Sequence, residues 1–108
     1  MAESLSWRMV FRPEVETDMI EAAAWYEDRR TGLGLRFVEE VIQTWNAISE
    51  NPMLNSRKHR TKNLRWRHPE SFPYRIVYEV NEERREVLVI AVLHAARHER
   101  HWQKRVQD

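Results

Sequence analysis

The chain has 108 residues, enough for one domain with one core and read here as a single domain over 1–108, and its 42% hydrophobic and 32% charged composition excludes a disordered chain. It has no cysteine, which excludes a disulfide framework, a thiolate nucleophile and a Cys-based zinc site. No apolar run approaches the roughly 20 residues that span a bilayer, no signal-peptide pattern opens the chain, and the formal net charge is only +1, so a cytoplasmic protein without a membrane partner is expected.

Trp7 to Arg12 is short, apolar and β-prone, and reads as a first strand closed by Pro13. Glu14, Glu16 and Asp18 then complement a helix N-terminus, while Val15, Met19, Ala22 and Tyr26 form a helical stripe running to Arg29 or Arg30. Thr31-Gly32-Leu33-Gly34 holds both glycines of the chain, with Gly32 expected as the C-cap. A second helix follows, with Leu35, Val38, Ile42, Trp45 and Ile48 as its core stripe and Phe37 and Val41 widening it, until Asn51-Pro52. The short link makes the pair an antiparallel αα-hairpin.

Met53 to Asn63 is a polar, basic connection, and Leu64 to His68 alternates as a strand. Between Asn55 and Arg75 there are seven Lys/Arg (Arg57, Lys58, Arg60, Lys62, Arg65, Arg67, Arg75) against Glu70 alone, whereas residues 1–50 hold ten acids against five Lys/Arg. Such a segment suits a polyanion or an acidic partner, although solvated basic loops are commoner. Phe72, Tyr74, Ile76, Tyr78 and Val80 alternate with Pro73, Arg75, Val77 and Glu79, the period of a half-buried strand. After a turn at Asn81–Arg85, Val87 to Leu93 is continuously apolar, as for a strand buried on both faces. The residues past His94 suit a short C-terminal helix or tail.

The order β-α-α-β-β-β predicts an α+β fold: an antiparallel sheet of about four strands with the helical hairpin on one face. If even-numbered positions face the helices, Arg65, Arg67 and Arg75 share the opposite, open face, a guanidinium surface suited to phosphate. Pairing with glutamates, Glu79 among them, is the blander account of the same residues. His94, at a strand end beside Arg97, is a candidate general acid or base because histidine is the side chain that suits proton transfer near neutrality, though a lone histidine is more often a surface or capping residue. His94, His98 and His101 would align on a helix, but no carboxylate or cysteine completes a zinc set, so neither metal nor cofactor is expected. Trp25, Trp45 and Trp66 sit on patterned elements and are expected in or near the core.

From about Arg8 to Arg105 the chain resembles the RelE/ParE superfamily of type II toxins, formerly called plasmid stabilisation proteins. The matching pieces are Val10-Phe11-Arg12-Pro13-Glu14 with Asp18, Trp25-Tyr26-Glu27, Gly32-Leu33-Gly34-Leu35-Arg36-Phe37 and Asn51-Pro52. They continue with Phe72-Pro73-Tyr74-Arg75-Ile76-Val77-Tyr78, Val92-Leu93-His94, Arg97 and Trp102 to Arg105. The resemblance implies a growth-inhibiting toxin held inactive by an antitoxin whose C-terminal segment fills grooves on the helices and sheet. ParE-like members poison DNA gyrase, and the long hairpin with its Gly-Leu-Gly link favours that branch. RelE-like members are ribosome-dependent mRNA endoribonucleases. In that alternative Arg65 and Arg75 hold the scissile phosphate and His94 shuttles the proton, but the tyrosine of that branch is missing near the chain end. Arg57, Lys58, Arg60, Lys62, Arg67 and Arg97 are the candidate contacts to nucleic acid or target. A non-toxic nucleic-acid-binding module of the same fold is the third reading.

Overall fold

The structure, a computed structural model, describes residues 6–59, 61–96 and 105. Strand β1 (Arg8–Phe11) leads into helices α1 (Glu14–Arg29) and α2 (Leu33–Glu50), followed by strands β2 (Leu64–Arg67), β3 (Tyr74–Asn81) and β4 (Glu86–His94). The strands lie in the order β1-β4-β3-β2. The last three form the expected antiparallel meander, whereas β1, whose place sequence left open, joins β4 in parallel at one edge. The sheet is therefore mixed.

Pro13 sits at φ −58 and starts α1 without a side-chain cap. Gly32 does not cap α1. Arg30 takes that position, and Gly32, at φ 91, precedes α2. A positive φ of this kind strains any residue with a Cβ. The Glu27 carboxylate accepts hydrogen bonds from the Gly32 and Gly34 amides at 2.9–3.1 Å, satisfying donors that open α2. Those hydrogen bonds hold its pKa below the usual carboxylate value. Gly34 lets the helices touch, since a Cβ there would lie 2.6 Å from the Ala23 carbonyl oxygen.

The main core lies between sheet and helices, with Val15, Phe37, Val41 and Ile48 packing on Tyr74, Ile76, Tyr78, Val87, Val89 and Val92. Tyr26, Phe37, Phe72 and Tyr74 form a cluster of aromatic contacts with centroids 4.8–6.0 Å apart. The other sheet face has its own apolar layer, Leu64, Val77, Ile90 and Ala91, flanked by Trp66, Leu88 and Leu93. This explains the unbroken apolarity of β4. Its register steps at one point: Val77 faces Ala91 but Tyr78 faces Val89, leaving Ile90 as a bulged residue. No helix among the described residues is long and apolar enough to cross a membrane.

Candidate functional surfaces on the two faces of the sheet

The expected guanidinium surface does not form. Residues directly opposed in an antiparallel pair project to the same face. Arg65 is opposed to Tyr78 and Arg67 to Ile76, both in the core beneath the helices. Arg75 is opposed to Leu93, and Trp66 to Val77, on the other face. Arg65 and Arg75 thus stand on opposite sides of the sheet. The odd–even reading failed because the link from β2 to β3 sets the register, and sequence did not fix it.

Arg65 is buried, at 8% exposure. Its Nε donates to Asn63 Oδ1 at 3.0 Å, and its Nη1 donates to the Met53 and Asn55 carbonyls. The guanidinium therefore fixes the connection after α2. Nearby, the Tyr78 hydroxyl donates to the Pro52 carbonyl at 2.9 Å, and burial pushes the phenol above its usual pKa. His94 lies opposite Tyr74 on the helix side, its ring edge-on to Tyr74 with centroids 5.4 Å apart, and its Nδ1 accepts from the Ala96 amide. It opposes β3 four residues away from Arg65, about 13 Å of strand. Arg65, Arg75 and His94 do not converge on one atom.

Of the remaining basic candidates, Arg57 and Lys58 are exposed, and Lys62 and Arg67 are half-buried. Arg60 and Arg97 lie outside the described residues, as do His98, His101 and Trp102, so the aligned-histidine reading and nearly all of the C-terminal segment do too. On the open face, the Arg75 guanidinium carbon sits 4.7 Å and the Lys58 Nζ 5.3 Å from the centroid of the Trp66 ring. His68, an even-numbered position and so expected on the helix side, is exposed, and its Nδ1 bonds the Tyr74 carbonyl oxygen at 2.9 Å.

Two features went unread in sequence. The first is an apolar groove of about 580 Å³ between α1, α2 and β1, whose lining includes Phe11, Met19, Ile20, Val38, Ile42 and Trp45. Ile20 is 62% and Ile42 43% exposed. The stripe expected in the core is therefore rotated: Phe37, Val41 and Ile48 are buried, whereas Val38, Ile42 and Trp45 line this groove and Leu35 is exposed. Phe11 packs edge-on to Trp45, with centroids 4.7 Å apart. Trp25 too is exposed, with the Arg29 guanidinium carbon 3.4 Å above its ring.

The second is a buried ion pair. Asp18 accepts two hydrogen bonds from the Arg105 guanidinium, at 2.7 and 3.0 Å, and one from the Val92 amide at 2.9 Å. Arg105 also donates to the Ile90 carbonyl at 3.1 Å. These two side chains satisfy β4 backbone groups around the bulge, beyond the Arg12–Val89 hydrogen bond that follows β1. A sequence signal existed: Asp18 lies three residues after Val15 and four before Ala22, on the apolar stripe, where an unpaired carboxylate is costly.

Residues 9–99 match the family described as the ParE toxin of type II toxin–antitoxin system, parDE. No curated protein gives a significant match. Among solved structures, the fold is similar to a chain of the chromosomal ParDE system of P. aeruginosa (TM-score 0.70, 12% identity, covering 84% of this chain and 98% of that one). It is also similar to a double arginine-to-alanine variant of the E. coli toxin RelE in the free state (TM-score 0.70, 22% identity, 95% and 100% covered). A third likeness is to a chain of the toxin–antitoxin complex RelBE2 of Mycobacterium tuberculosis (TM-score 0.60, 15% identity, 87% and 97% covered). At these identities the likeness speaks to the fold alone.

Proposed function

The chain belongs to the ParE toxin family of type II toxin–antitoxin systems, and from that premise we propose that it arrests growth by acting on DNA gyrase rather than by cutting mRNA. The observation that carries this choice is the separation of Arg65 from Arg75 by the thickness of the sheet. A ribonuclease needs its phosphate-holding cations and its proton shuttle around one scissile phosphate. Here Arg65 holds backbone carbonyls, Arg75 faces the other way, and His94, at the end of β4, pairs with Tyr74, four residues along β3 from the Tyr78 that opposes Arg65.

The apolar groove supports a protein partner. Two of the structurally similar chains come from toxin–antitoxin systems, and a groove lined by Ile20, Ile42 and Trp45 suits the apolar face of an antitoxin helix. Induction in cells tests the reading. A DNA-damage response with intact mRNA is expected, and the Arg75→Ala/His94→Ala double variant should still cut no mRNA. Cleavage of translated mRNA by the wild type, abolished in that variant, would reinstate the ribonuclease.

A further inference from the structure

The open face of the sheet is not used by the reading above. There Trp66 from β2, Arg75 from β3 and Lys58 from the preceding connection meet around a single indole ring. Lys58 is brought in by its backbone amide, which donates to the Leu64 carbonyl at 2.7 Å. Arg75 and Trp66 are diagonal neighbours across the β2–β3 pair, because Trp66 is opposed to Val77. Two cations that would repel in water are thus held within 5.3 Å of one ring centroid. The indole's electron-rich faces offset that repulsion.

We infer that this Trp66-organised pair of cations is a contact site for the phosphate backbone of duplex DNA. The inference deepens the gyrase reading, and its biological setting rests on that reading, because gyrase works on duplex DNA. Three observations favour this ligand. The cluster lies in the part of the chain where Lys and Arg outnumber acids, with exposed Arg57 beside Lys58 in sequence. The one acid of β3 on this face, Glu79, is opposed to Leu64, two residues along β2 from Trp66. Finally, the cations lie over the Trp66 ring, so it is not an open platform on which a splayed base would stack, as single-stranded recognition requires. Backbone contact without base readout remains.

The test is fluorescence anisotropy of the full chain with a short labelled DNA duplex, titrated across a range of salt. For the wild type, the logarithm of affinity should fall linearly with the logarithm of salt. Lys58→Gln/Arg75→Gln should reduce that slope by about two, one for each cation, and weaken binding about ten-fold at low salt. Trp66→Ala should weaken binding although both charges remain, and Trp66→Phe should restore it. Antitoxin binding, seated on the helix side, reports that each variant is folded. If Trp66→Ala loses antitoxin binding, Lys58→Gln/Arg75→Gln decides alone, since it leaves the core untouched. Equal DNA affinity in the wild type and the double variant would overturn the inference, as would tighter binding of single-stranded RNA than of duplex DNA. Either result leaves gyrase inhibition standing. A wild type that binds duplex DNA without inhibiting gyrase would instead sink the functional reading and leave this site in place.

Discussion

Asp18 shows how one side chain can serve two structural needs. It neutralises Arg105 and also takes the Val92 amide of β4, which lies beyond the last residue paired with β1. Removing one member of such a pair leaves a charge buried at 6–18% side-chain exposure, a loss that costs about 3–5 kcal/mol in comparable sites. Asp18→Asn keeps the acceptor for Val92 but removes the negative charge. We expect it to lower the denaturant midpoint by about 3 kcal/mol of stability, and Arg105→Ala added to Asp18→Asn should cost much less than the two single losses combined. An unchanged midpoint would show the pair to be ornamental. The polar residue on the stripe was visible in sequence, but its partner was not. The two lie 87 positions apart, and only the fold brings them together.

At the scale of elements, the hairpin depends on Gly34 and Glu27. Gly34→Ala places a methyl group against a backbone carbonyl that cannot swing aside, so α1 and α2 must separate. A loss of about 1–3 kcal/mol is expected in a thermal melt. Glu27 has a folded pKa depressed by the Gly32 and Gly34 amides. Its contribution is therefore present above its unfolded pKa and disappears as pH falls through the lower folded value. The stability of the wild type should drop below about pH 4.5 more steeply than that of Glu27→Gln, and parallel acid limbs would refute this role. Element types and order were legible because each has a clean period: 3.6 for the helices and 2 for Phe72–Val80. Two things were not legible. The rotation of α2 escaped because its apolar residues cover more than one face, so pattern alone could not separate the core stripe of Phe37 and Val41 from the groove stripe of Val38 and Ile42. The facing of Arg65 and Arg75 escaped because register is a relation between strands, not a property of either one.

For the molecule as a whole, the sheet separates two kinds of surface: an apolar groove on the helix side and a cation-bearing face on the other. Ile20→Asp/Ile42→Asp alters exposed positions only and should leave the melting temperature nearly unchanged. The same change should weaken antitoxin binding by 2 kcal/mol or more, about thirty-fold, as for a hot-spot pair. Unaltered antitoxin affinity would assign the groove elsewhere. On the proposed reading, this chain halts growth through gyrase and not through a nuclease site. The most direct measurement is a supercoiling assay with purified gyrase, run beside a ribosome-programmed mRNA cleavage assay on the same preparation. Inhibited supercoiling with the message intact is expected, and a cut message with supercoiling unaffected would refute action on gyrase.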